Sequence, residues 1–119
     1  MKVVFIGDIV GRSGRDAIIK KIQTLKVKFK PDAIIANAEN AASGYGLTKK
    51  IAEELFAQDI DALTLGNHAW DKREMLSYIE ECPKIIRPIN YPEGVPGKGE
   101  YRIALEDGRT LLIIQVMLR

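Results

Sequence analysis

Val3-Val4-Phe5-Ile6-Gly7-Asp8-Ile9-Val10-Gly11-Arg12-Ser13-Gly14-Arg15 opens the chain with an unbroken apolar run, a glycine, and an acidic, glycine-rich loop. An apolar run without polar alternation suits a strand covered on both faces, so residues 3–6 predict a buried strand of a parallel sheet, ended by Gly7. Beyond the loop, Ile18, Ile22, Leu25 and Phe29 recur at helical spacing, giving a helix with one apolar stripe that Pro31 closes. The unit then repeats. Ala33 to Ala36 form a second buried strand, and a helix capped by Thr48 turns Ile51, Ala52, Leu55 and Phe56 inward. Ala62 to Leu65 form a third strand. Asp71 and Glu74 then read as a capping box for a third helix, with Met75, Leu76 and Ile79 inside.

The order β-α-β-α-β-α is followed by a proline-rich connection from Cys82 to Lys98, with a short strand expected at Ile85 and Ile86 and no chemistry assigned to it. Tyr101, Ile103 and Leu105 alternate with other residues, and Asp107-Gly108 reads as a two-residue hairpin turn into a strand from Thr110 to Met117, making the sheet mixed. Leu111 to Val116 is apolar on both faces apart from Gln115. A central strand of that kind needs cover, so further sequence or another subunit is expected over it.

Length and composition fit one α/β domain over residues 1–119: 46% hydrophobic, 29% charged and a net charge of +2. So small a charge argues against a dedicated nucleic-acid coat, although a local basic site for phosphate remains open. One cysteine and one histidine exclude an intramolecular disulfide and a structural zinc site built from this chain alone. The single cysteine points to the cytoplasm, and no apolar run reaches membrane-spanning length.

Function enters through position. Gly7-Asp8, Glu39-Asn40 and Gly66-Asn67-His68 each follow the C-terminal end of a predicted strand. Right-handed crossovers place such ends on one side of a sheet, so the three loops are expected to converge on a crevice. Two carboxylates, amides and an imidazole gathered there suit manganese, iron or zinc, and a two-metal hydrolytic centre is their natural use. Taken singly, each has a plainer role. Asp8 could cap the helix near Ser13, Asn67 could turn the chain, and His68 could be a hydrogen-bonded structural histidine. Gly7, Gly11 and Gly14 could cradle a phosphate but fit no nucleotide fingerprint. Arg12 and Arg15 could hold a phosphate or simply be solvated, and the lysines Lys20, Lys21, Lys26, Lys28 and Lys30 could attract RNA, with a solvated helix face as the plainer reading. Trp70 could wall the site or stack a base, with a core role as the default.

Three segments are more specific: Gly-Asp-Ile-Val-Gly-Arg-Ser-Gly-Arg, Asn-Ala-Glu-Asn-Ala-Ala-Ser-Gly-Tyr-Gly-Leu-Thr and Thr-Leu-Gly-Asn-His-Ala-Trp-Asp. In order and spacing the chain resembles the N-terminal half of the YmdB-like subfamily of calcineurin-like metallophosphoesterases. The resemblance implies an α/β/β/α sandwich and two divalent metal ions, iron or manganese ahead of zinc or magnesium. Asp8 would bind one metal, Glu39 would bridge both, Asn67 would bind the second, and Asn40 would lie near the metals or phosphate. His68 would be the catalytic proton donor. The implied activity is a phosphodiesterase acting on substrates such as 2′,3′-cyclic nucleotides, in a homo-oligomer or with a C-terminal half. The family's downstream histidine ligands have no counterpart here, and Leu118 stands where a glycine would continue the chain. The expectation is therefore a truncated domain, with a non-catalytic nucleotide- or partner-binding role and a phosphomonoesterase as the alternatives.

Overall fold

A computed structural model describes residues 1–118. The elements are β1 (Val3–Ile6), α1 (Gly11–Phe29), β2 (Ala33–Asn37), α2 (Lys49–Phe56), β3 (Ala62–Thr64), α3 (Met75–Glu81), β4 (Ile85–Ile86), β5 (Glu100–Ala104) and β6 (Thr110–Ile114). The first four strands pair in parallel in the order β1-β2-β3-β4. Every crossover therefore steps in the same direction, and crossovers of one hand leave all three helices on one face.

That face carries the main core. Ile34, Ala36, Leu63 and Ile85 from the strands meet Ile22 of α1, Ala52 and Leu55 of α2, and Met75 and Ile79 of α3. On the opposite face, Ile35, Ala62 and Ile86 pack against Ile113 of the β5-β6 hairpin, with Tyr101, Ile103 and Leu111 alongside. The chain is thus α/β, a parallel four-stranded sheet with helices on one side and a hairpin on the other.

Several expectations change. The hairpin forms its own two-stranded sheet and does not make the parallel sheet mixed. β4 is the short strand expected at Ile85 and Ile86, and it runs into Pro88, which has no N–H for a ladder. The hairpin is tied on beyond it: Ile89 N donates to Gln115 O at 2.8 Å, and the Asn90 amide both donates to Met117 O and accepts from Met117 N. Gly99 is obligatory here, because a Cβ would run into Ile89. The turn between β5 and β6 is longer than two residues. Gly108 N donates to Leu105 O and Leu105 N to Arg109 O, with Gly108 at φ +87° taking the left-handed position.

β1 is an edge strand with one open face, since Val3 and Phe5 are 42% and 60% exposed where the hairpin does not reach. β6 likewise half-buries Leu111 and buries Ile113 but turns Leu112 and Ile114 outward, with Val116 beyond it also exposed, so it is not covered on both faces. Leu76 is exposed on α3. The Asp71–Glu74 capping box does not form. α3 starts at Met75 without a side-chain cap, Glu74 accepts from Lys49 N, and Asp71 pairs with His68. Thr48 does cap α2, accepting from Ile51 N at 3.2 Å. No described helix is long and apolar enough to cross a membrane.

Candidate active site

Because β1, β2 and β3 are parallel, residues 7–10, 38–48 and 65–74 leave the sheet at the same end, and direct bonds knit them together. Ile9 N donates to Asn37 O, Gly11 N to Asn40 O, and Ala38 N to Thr64 O. Asn40 Nδ2 donates to both Asp8 oxygens at 3.0 Å. His68 N reaches Glu39 Oε2 at 3.5 Å. Asp8, Glu39, Asn40 and His68 therefore share one crevice, and Asn67 lies exposed between Gly66 and His68.

Glycine makes the crevice floor. A Cβ at Gly66 would overlap the Glu39 carboxylate, and one at Gly46 would come within 3.2 Å of both His68 O and Asp71 Cβ. Glu39 is seated by its own loop, where its N–H donates to Asn37 Oδ1 at 3.4 Å and Asn37 in turn donates to the buried Thr64 hydroxyl. Asp71 Oδ2 lies 2.6 Å from His68 Nδ1. A carboxylate only accepts, so this contact puts the proton on Nδ1 and leaves Nε2 for other work.

The plainer roles divide. Asp8 is not a helix cap, because α1 begins after Val10 with no side-chain cap. Arg15 donates to Ala41 O at 2.6 Å and ties α1 to the 38–48 loop. Arg12 is exposed and pairs with Asp16, and Lys26 pairs with Asp59, consistent with a solvated helix face. Trp70 packs against the main core and lies 6.0 Å from the Tyr91 ring.

The proline-rich connection does contribute to this region. Tyr91 Oη donates to Gly66 O at 3.1 Å, and burial pushes its phenol above the ordinary range, helped by the Glu39 and Asp71 carboxylates. No spacing rule singles out a tyrosine in such a segment. Asp71, by contrast, lies at helical i,i+3 spacing from His68, a signal that the capping-box reading overrode.

The fit to a metal centre can be tested on Asn40. Its Nδ2 is committed to Asp8, while its Oδ1 is buried with no hydrogen-bond partner, an acceptor that folding should not leave unsatisfied. A cation satisfies such an oxygen. Among the described residues no three His, Cys, Asp or Glu side chains cluster closely enough to enclose an ion by themselves. The donors brought together are the Asp8 and Glu39 carboxylates and the Asn40 amide, with Asn67 exposed next to His68; these are hard oxygen donors suited to manganese, iron(II) or magnesium and short of a full complement.

Comparison with known proteins gives a consistent picture. The model of the YmdB-like protein family matches residues 4–119. A Bacillus subtilis protein named 2′,3′-cyclic-nucleotide 2′-phosphodiesterase is 45% identical over 119 residues, all of this chain and 45% of that protein. The crystal structure of a hypothetical protein from Thermus thermophilus superposes with a TM-score of 0.91 at 40% identity, covering 100% of this chain and 46% of that one. A Mycoplasma pneumoniae structure described as a novel phosphatase gives 0.89 at 29% identity, covering 98% and 42%. The chain spans less than half the length of the curated relatives it matches.

Proposed function

The chain belongs to the YmdB-like family, and from that premise we propose that it supplies one half of a metal-dependent phosphodiesterase centre acting on phosphodiesters such as 2′,3′-cyclic nucleotides. The observation that carries the reading is the buried, unpartnered Asn40 Oδ1 beside Asp8, in the crevice that also holds Glu39 and His68. Asp8, Glu39, Asn40 and Asn67 would hold two divalent ions, iron or manganese by preference. Bound there, the ions would activate a water and neutralise phosphoryl charge.

The chain's own residues then do three things. Asn40 orients Asp8 through its bidentate amide contact. Gly66 leaves room for the Glu39 carboxylate, so its position is set by the backbone of the facing loop. Asp71 holds His68 by Nδ1, so that in the imidazolium form Nε2 would carry the proton needed by the departing oxygen. In hydrolysis, water oxygen adds to phosphorus as one phosphorus–oxygen ester bond breaks; the ribose oxygen that leaves takes the His68 proton, and the proton that water sheds passes to solvent, from which His68 is reprotonated. The remaining ligands would come from a C-terminal half or from another subunit, since His68 is the one histidine in the sequence.

The test is hydrolysis of a 2′,3′-cyclic nucleotide by the chain with manganese or iron added, metal content being measured in parallel. Glu39→Ala should lose both metal and turnover. His68→Ala should lose on the order of 10²–10⁴-fold in turnover with metal nearly retained. Loss of metal in His68→Ala would remove the proton-donor role, and full metal retention in Glu39→Ala would rule out bridging. The partial ligand set favours a second reading, a fragment that binds nucleotide without cleaving it. Unchanged nucleotide affinity in chelator would select that reading.

A further inference from the structure

Tyr45 is 61% exposed and stands at the mouth of the crevice, its ring centroid 5.9 Å from that of His68 at an interplanar angle of 78°. Resting on the phosphodiesterase reading above, we propose that Tyr45 is the stacking platform for the substrate's base, which makes it the residue that selects nucleotides over base-free phosphodiesters.

The loop around it is held firmly. Gly44 N donates to Asn40 O, Tyr45 N to Ala42 O, Ala42 N to Gly46 O, and Gly46 N to Glu39 O. Ser43, Gly44 and Gly46 all have positive φ, at +54°, +87° and +74°. Serine in that region costs about 1–2 kcal/mol, and such strain persists only where the surroundings impose it. Gly46 fixes the loop against the opposite wall, with a Cβ there meeting His68 O and Asp71 Cβ at 3.2 Å. The backbone that presents Tyr45 is therefore the backbone that positions Asn40 and Glu39.

Burying an aromatic ring would gain roughly 1.5–3 kcal/mol, so a rigid loop that leaves one in water beside the reacting groups forgoes that gain. The other site aromatics are engaged: Trp70 packs on the core and Tyr91 is bonded to Gly66 O. Tyr45 meets His68 edge to face, which leaves ring surface free at the crevice mouth. A base lying there would put the ribose, and the phosphate joined to it, toward His68 and the carboxylates. Stacking on an aromatic side chain contributes about 1–3 kcal/mol per base and tolerates any base, so the selectivity is for a nucleoside and not for one particular base.

The probes are adenosine 3′-monophosphate and ribose 5-phosphate, titrated against the manganese-loaded chain by calorimetry. Tyr45→Ala should weaken the nucleotide by roughly 5–100-fold while leaving ribose phosphate unchanged, and Tyr45→Trp should restore the nucleotide. An equal loss for both ligands would make Tyr45 a support for the loop, and no loss for either would remove it from binding; each overturns the proposal. Failure of the wild-type chain to bind ribose phosphate would instead strike at the phosphodiesterase reading itself. Tyr45→Phe, which keeps the ring, should behave as wild type.

Discussion

The two ends of the parallel sheet both carry acidic clefts, and they differ in what their polar groups are doing. At the N-terminal ends of β2 and β3, a cleft of about 470 Å³ is lined by Asp32, Asp61, Glu106 and Asp107 among others. Its carboxylates are largely engaged by the fold. Asp61 Oδ2 accepts from Ile34 N at 2.7 Å, Asp32 accepts from Lys2 N at 2.6 Å, and Arg109 grips Asp107 and holds its carboxyl below the usual range. At the C-terminal ends, Asn40 Oδ1 is buried without a partner and the Glu39 carboxylate has one long contact. Incomplete satisfaction of buried polar groups chooses the second, because the missing partners are what a ligand brings.

The comparison breaks most sharply at Gly66. A Gly66→Ala methyl would occupy the space of the Glu39 carboxylate, so metal and turnover should both fall, the latter by more than the roughly 10–100-fold that an outer partner costs. Stability should drop by only about 1–3 kcal/mol. Elemental analysis beside a melting curve separates the two, and an alanine variant that keeps its metal would show that Glu39 does not depend on this close approach.

The converse applies at the other end. Asp61→Ala leaves Ile34 N without its acceptor between two buried strands, which should cost about 1–3 kcal/mol in a urea unfolding experiment. Activity per folded molecule should not change. If turnover fell while the protein stayed folded, the N-terminal cleft would have a functional role and the contrast between the ends would collapse.

The parts of this contrast that could be read in the sequence are those set by local pattern. The apolar runs at Val3 to Ile6 and Ala33 to Ala36 and the Thr48 cap are local, and so is the placement of Asp8, Glu39 and His68 just past strand ends. What failed depended on neighbours distant in sequence. Phe5 looks buried in a list of residues and is exposed because the hairpin covers β2 to β4 but stops short of β1. Glu74 carries a good capping-box signature, yet the N–H of Lys49, distant in sequence, takes its carboxylate at 2.9 Å. Tyr91 reaches Gly66 only after the chain has passed through α3 and β4, and Tyr45 gains its meaning only from the ring beside it.

Two tyrosines carry the contrast to its smallest expected effect. Burial is the main cause of a raised phenol in both Tyr91 and Tyr78, but the charges adding to it at Tyr91 are Glu39 and Asp71 of the crevice. Tyr78, on the helix-covered face, is pushed up to about 12 by burial and then by Cys82, Glu53 and Glu81, none of them site residues. Below the ordinary phenol value of 10.0 the tyrosine is neutral whether folded or unfolded; between that value and about 12 the unfolded chain has lost the proton and the folded chain keeps it. Folding therefore binds more protons there, and stability declines as pH rises through this window. Tyr78→Phe should flatten that decline in thermal melts taken between about pH 9 and pH 11 while leaving metal content unchanged. An equally steep decline in the phenylalanine variant would move the alkaline sensitivity off the helix face, with Tyr91 and the crevice as its next source.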